Sequence, residues 1–264
     1  MASAPPPTSS SPESAAVDWR VVEDAGSADE FHRRQPEQDT AHELWVRELL
    51  RPALVLGSTQ PDELIVADRA EADGIEVCRR RSGGGLVYLD PATDCWIDAI
   101  VPAGSPLWRD DIGQAFHWIG EAWGRLLTDR LGPAGPALVH RPTPHRGRPM
   151  RPLWCFAELG HGEVTVGAAK VVGLSQRRTR RWIRLQSLVL GGWPGRQLRP
   201  YIDADVARTL AARDRRPGGD PANADELGPI IDPALVRAGP PAGLRLPEPS
   251  ELAADFLRRT TGGG

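Results

Sequence analysis

The chain has 264 residues, enough to bury one long domain or one domain with an appendage, and its formal net charge of -3 argues against a general nucleic-acid binder, whose phosphate-driven affinity needs a basic excess. Three cysteines, Cys78, Cys95 and Cys155, are widely spaced with no CxxC pair, which argues against a disulfide framework or a zinc knuckle. The N-terminus has neither a basic n-region nor an apolar h-region, and no apolar run nears the roughly 20 residues of a membrane span, so a cytoplasmic protein is expected.

The Pro- and Ser-rich stretch at the start has nothing to bury and is expected to be a disordered tail over 1–16, with folding beginning near Val17. Thr40-Ala41-His42-Glu43 has the form of a capping box ahead of Leu44, Trp45, Leu49 and Leu50, which predicts a helix from about 40 to 51. Short β-rich runs follow at 53–57, 75–79, 86–89 and 96–102. Over 111–131, Ile112, Phe116, Ile119, Trp123, Leu126 and Leu127 recur at helical spacing, so a helix is predicted there with Trp118 and Trp123 on or near its apolar side. Further strands are predicted at 153–157, 163–166, 170–174 and 182–190, and helices at 203–213 and near 250–258. Polar and Pro/Gly-rich stretches at 213–229 and 239–243 read as loops. The strands cluster without regular alternation with helices, so the expected class is α+β, with a mixed, mostly antiparallel sheet and flanking helices. The folded domain is expected over 17–212, followed by a Pro/Gly-rich extension over 213–264 that ends in a short helix.

Lys170 is the only lysine of the chain, where every other basic position of the Lys/Arg type is arginine. An ammonium is a compact point charge, whereas guanidinium is a planar fork, and Lys170 lies among small and apolar residues where a solvated lysine is out of place. It is therefore a candidate functional residue. The second candidate is the run Arg79-Arg80-Arg81-Ser82-Gly83-Gly84-Gly85 between two predicted strands. Glycines let backbone approach a ligand, successive N–H groups can cradle an anion, and Arg80 can add bidentate contacts to a carboxylate or phosphate. A plain hairpin turn with solvated arginines is the competing reading. The run completes neither a P-loop nor a GxGxxG fingerprint.

Val-Leu-Gly-Ser-Thr-Gln at 55–60, the R-R-x-S-G-G-G block at 79–85 and the K-x-x-G-x-S-Q block at 170–176 together resemble the lipoate-protein ligase A family. That family shares one α+β catalytic domain with the octanoyltransferases and biotin-protein ligases, and the resemblance spans roughly residues 40–192. It implies attachment of lipoate or octanoate to a lysine of lipoyl carrier domains through an acyl-adenylate, with ATP and Mg as co-substrate and ion. By the same resemblance Arg80, Ser82, Gly83, Gly84, Gly85, Gly173 and Ser175 bind the acyl substrate, and Lys170 contacts its carboxyl or the acyl-phosphate linkage.

The chain departs from the family pattern where ligases carry His-Asp and Asn-x-Asn, here Leu89-Asp90-Pro91-Ala92-Thr93-Asp94-Cys95, and where they carry Gln-His-Gly-Ser, here Gln186-Ser187-Leu188-Val189. The residues after about 200 are few and Pro/Gly-rich, so the chain resembles the short members of the family, and that leaves a second route open. Cys155-Phe156, fifteen positions before Lys170, resembles the Cys-Phe of octanoyltransferases that take octanoate from acyl carrier protein through an enzyme thioester. A buried hydrophobic role for Cys155 and a non-catalytic acyl-binding homologue are the other readings. His140, His145 and His161 lack metal-ligand spacing, so no metal site is expected. The arginines of 177–184 are expected to border the site and dock an acidic carrier domain rather than nucleic acid.

Overall fold

The computed structural model describes residues 17–132, 136–142, 153–213, 236–240 and 245–261. The tail expected over 1–16, nearly all of the loop expected over 213–229, and His145 lie outside these residues.

The described chain forms two sheets. It opens with β1 (Arg20–Gly26), α1 (Ala28–Arg33), β2 (Glu43–Leu49), β3 (Ala53–Leu56), α2 (Ala67–Ala72), β4 (Glu76–Arg79), β5 (Val87–Leu89) and β6 (Cys95–Pro102). There follow α3 (His117–Leu131), β7 (Ala137–Val139), β8 (Val164–Val166), β9 (Ala169–Arg178), β10 (Trp182–Val189), α4 (Ala204–Arg213) and α5 (Pro249–Thr261). The large sheet has seven strands in the order β1-β2-β6-β10-β9-β8-β7, antiparallel except for the parallel β1–β2 pair. The small sheet is β4-β3-β5. The α+β class expected from the clustered strands is the one observed.

Period-2 alternation in the central strands divides the core between the two faces of the large sheet. Ile183, Leu185 and Val189 of β10 pack with Ile119, Trp123 and Leu127 of α3, and Phe256 of α5 stacks on Trp123 at 4.2 Å. The opposite face, with Trp96 and Leu188, meets the small sheet and Phe31 of α1. Buried Arg184 fixes α1 there: it pairs with Asp98 and donates to the carbonyls of Phe31 and Arg34, both at 2.7 Å. Among the described residues no helix is long and apolar enough to cross a membrane.

Two sequence expectations give way to tertiary context. The helix expected over 40–51 is strand β2. Both faces of this strand are covered, Leu44 toward α3 and Leu49 toward the small sheet, so its apolar residues come too densely to show alternation. Thr40 and Glu43 do meet, hydroxyl to carboxylate at 3.2 Å, but Glu43 receives the Trp45 indole N–H at 2.6 Å instead of capping a helix. The strand expected over 153–157 is a 3-10 turn, Cys155–Ala157, tied to the chain at Leu86 by two backbone hydrogen bonds. The long helix starts at His117, after a 3-10 turn at Gln114–Phe116, and leaves Ile112 60% exposed. β1, α1, α2 and β7 were not anticipated.

Candidate active site

Where α1, the small sheet and strands β6, β9 and β10 converge, the chain leaves a cavity. Its wall is apolar, built by Val87, Leu89, Trp96, Phe156, Leu174 and Leu188. A few polar groups interrupt it: His32, Arg80, Cys155, Ser175 and Gln186. A mostly apolar cavity with a few convergent polar groups is the usual form of a small-ligand site.

The glycine loop forms one lip. The Arg80 guanidinium, 4% exposed, holds the loop from beneath, with Nη2 donating to the carbonyls of Gly83 at 3.0 Å and Gly85 at 2.7 Å. Gly84 has a φ of +100°, and a Cβ built there would lie 2.9 Å from Arg80 Nη2 and 3.6 Å from Cys155 Sγ. Only glycine serves where the backbone must turn this way between a guanidinium and a sulfur. Gly57 backs the same lip, its own Cβ position falling 1.9 Å from the Gly84 carbonyl oxygen. Ser82 donates its hydroxyl to Ser175 at 3.4 Å, which links the loop to β9. Gly173 lets the Phe156 ring lie against β9, since a Cβ there would be 2.6 Å from the ring.

Arg80, Ser82, Gly84, Cys155, Gly173 and Ser175 therefore meet at one place. Lys170 stands behind the Cys155 turn. Its ammonium, on a residue 3% exposed, donates to the carbonyls of Cys155 and Glu158, each at 3.0 Å, and pairs with Glu163 at 2.6 Å. The Phe156 ring lies 4.8 Å from it. Glu163 in turn accepts the backbone N–H groups of Gly160 at 2.6 Å and Leu174 at 3.1 Å. The ion pair thus binds the Cys155 turn to the strand that carries Ser175.

Cys155 is the half-buried cysteine of the three. Burial, followed by Glu76, pushes the Cys78 thiol up to about 12, and burial followed by Asp94 does the same to Cys95, so both stay protonated. His32 faces the cavity with its ring 4.8 Å from that of Trp96. Burial, then Arg184 and Arg80, lower its pKa to about 3, so the imidazole is neutral at ordinary pH.

Three contributors escaped the sequence reading. Gln186 was visible only as a departure from a motif, though alternation from Trp182 through Arg184 to Gln186 and Leu188 places it on the cavity face. Glu163 carried no signal beyond lying one hairpin from Lys170. His32 sits on a helix that was not anticipated.

The arginines of the β9–β10 hairpin divide by role. Arg178 is structural, donating to the carbonyls of Arg109 at 2.6 Å and Asp110 at 2.7 Å, and Arg184 is buried on Asp98. Arg177 has no acceptor among the described residues, and burial, then Arg81 and Arg184, lower its pKa. Among the described residues no three His, Cys, Asp or Glu side chains gather as metal ligands, and the His161 ring lies 6.3 Å from that of His117.

A model of the lipoyl protein ligase A/B catalytic domain matches residues 26–191 of the chain. Among solved structures, the chain is similar to protein Ta0514 from T. acidophilum with bound lipoic acid, at a TM-score of 0.61 and 15% identity, covering 93% of this chain and 85% of that one. It is similar to a bi-partite lipoate protein ligase studied with its E2 lipoyl domain, from Thermoplasma acidophilum, at 0.59 and 15%, covering 93% and 83%. A lipoate-protein ligase A bound with ATP gives 0.57 and 16%, covering 93% and 85%. No curated protein matches the chain.

Proposed function

Because the chain belongs to the lipoyl protein ligase A/B catalytic domain family, we propose that it transfers an octanoyl or lipoyl group to a lysine of a lipoyl carrier domain, through a thioester on Cys155. The observation that carries this reading is the position of the Cys155 sulfur, at the wall of an apolar cavity and beneath the Gly84 lip. Val87, Leu89 and Leu188 line the cavity beside Cys155, an apolar wall along which a saturated acyl chain would run with its carbonyl carbon at the sulfur.

The Cys155 thiolate attacks the carbonyl of an acyl thioester on acyl carrier protein. The carrier's sulfur leaves and takes up a proton, and the acyl group is now on Cys155. The lysine amine of a lipoyl domain then attacks the same carbonyl, an amide forms, and the amine's proton restores the Cys155 thiol. Arg80 and the loop from Ser82 to Gly85 hold the acyl head, and Gly173 and Ser175 form the facing wall. Lys170 acts through the turn it fastens. Arg81, Arg177 and Arg180 supply a positive rim for an acidic carrier, a role of charge complementarity that strengthens encounter more than final affinity.

The second reading is an ATP-dependent ligase that forms an acyl-adenylate from free lipoate or octanoate. It is favoured by the similarity to a lipoate-protein ligase A bound with ATP. Magnesium would then arrive with the triphosphate.

Intact mass separates the two. Purified protein incubated with octanoyl carrier protein and no ATP is expected to gain one octanoyl mass, sensitive to hydroxylamine, lost in Cys155→Ala and passed to an apo-lipoyl domain. Lipoyl-domain modification that requires ATP and survives Cys155→Ala overturns the thioester route in favour of the ligase. Octanoate binding with neither reaction identifies an acyl-binding homologue.

A further inference from the structure

Among the described residues, the buried side-chain donors without any partner include Arg80 Nη1 and Gln186 Nε2. Both residues line the apolar cavity. A buried donor left unmet is costly, so a pair of them lining one mostly apolar cavity calls for an acceptor brought by the ligand.

The surroundings fix both donors. Arg80 uses Nε and Nη2 on the carbonyls of Gly83 and Gly85, which leaves Nη1. Gln186 stands directly across from Ser175 in the β9–β10 pair. The hydroxyls run in one direction, Ser82 to Ser175 at 3.4 Å and Ser175 to the Gln186 amide oxygen at 3.3 Å. That file occupies the oxygen and leaves the amide nitrogen for the cavity. Arg80 and Cys155 flank the same point at Gly84.

We propose that Arg80 Nη1 and Gln186 Nε2 together receive the carbonyl oxygen of the acyl group, with Gln186 as a catalytic residue and Ser175 as the residue that positions it. The inference rests on the acyl-transfer reading and is independent of its route. When a nucleophile attacks, the carbonyl π pair moves onto oxygen, and it returns when the leaving group departs. Two fixed donors lower that barrier without transferring a proton.

The test compares wild type with Gln186→Met, which keeps length and loses the donor, and with Ser175→Ala. With octanoyl-pantetheine as acyl donor and no ATP, Gln186→Met is expected to form the enzyme thioester about 10²- to 10³-fold more slowly. Its thermal midpoint should stay near wild type, and iodoacetamide should still alkylate Cys155 at the wild-type rate. Ser175→Ala should lose less than Gln186→Met. A Gln186→Met rate within about twofold of wild type overturns the proposal. If wild type acylates only through ATP, the thioester reading fails, and transfer from preformed octanoyl-adenylate to an apo-lipoyl domain replaces it, since there the lysine amine attacks the acyl carbonyl and AMP leaves, with the same loss expected and the same result overturning. If wild type runs neither reaction, octanamide is titrated: at least about tenfold weaker binding by Gln186→Met supports the pair, and equal affinity overturns it.

Discussion

Replacing Lys170 by methionine tests the structural account of the chain's sole lysine. The Lys170 and Glu163 side chains are 3% and 5% exposed and meet at 2.6 Å. Methionine leaves the Glu163 carboxylate buried without its cation, and the carbonyls of Cys155 and Glu158 without their donor. Breaking a buried pair from one side costs about 3–5 kcal/mol, because the surviving charge is uncompensated. Lys170→Met combined with Glu163→Gln removes both charges while the amide oxygen can still accept from Gly160 or Leu174, so the double variant should recover more than half of the loss. Lys170→Arg keeps the charge but forces a larger, planar group into a closed site, at about 1–3 kcal/mol. Urea unfolding followed by tryptophan fluorescence reads all three. A loss below about 1 kcal/mol for Lys170→Met, or a double variant no more stable than the single, refutes the reasoning.

Gly84→Val is expected to weaken octanoate binding at least tenfold by calorimetry and to destabilise by about 1–3 kcal/mol, given the φ of +100° and an Arg80 nitrogen 2.9 Å from the new Cβ; unchanged affinity reduces the loop to a turn. His32, held neutral with a pKa near 3 in the fold against 6.5 when unfolded, makes the unfolded chain the stronger proton binder between those values. Stability should therefore fall as pH drops from 6.5 toward 3, by up to about 1.4 kcal/mol per unit from this group, and His32→Phe should flatten that limb; an identical slope in the variant refutes it. Phe256→Ala should cost about 3–5 kcal/mol through its stack on Trp123, read by urea unfolding; a loss under about 1 kcal/mol means the C-terminal helix does not contribute to the core.

What the sequence made legible was decided by the range of the forces involved. The glycine loop and Lys170 stood out because their signal is local, three successive glycines in one case and an odd residue among apolar neighbours in the other, whereas the partners of Lys170, the carbonyls of Cys155 and Glu158 and the carboxylate of Glu163, gave no such signal. Strand β2 could not, since a strand buried on both faces shows the same dense apolar pattern as a helix, and Thr40 with Glu43 completed the imitation. The Cys155 turn was misread as a strand because its curl depends on a cation fifteen residues away, which takes the carbonyls of Cys155 and Glu158 out of any ladder.

The same geometry accounts for the one lysine in an arginine-rich chain. Three acceptors converge on the Lys170 nitrogen: two carbonyls of the Cys155 loop and the carboxylate of Glu163. A tetrahedral ammonium directs its three N–H bonds to such a set, whereas a guanidinium spreads its donors in a plane and brings two more nitrogens into a site with no room for them. Composition marked Lys170 as a candidate functional residue; the structure shows its ammonium at a closed point where these acceptors converge. Two of the lysine's bonds hold the turn that carries Cys155 and the third reaches Glu163, so the residue that stands out in the sequence and the sulfur that faces the cavity belong to one arrangement.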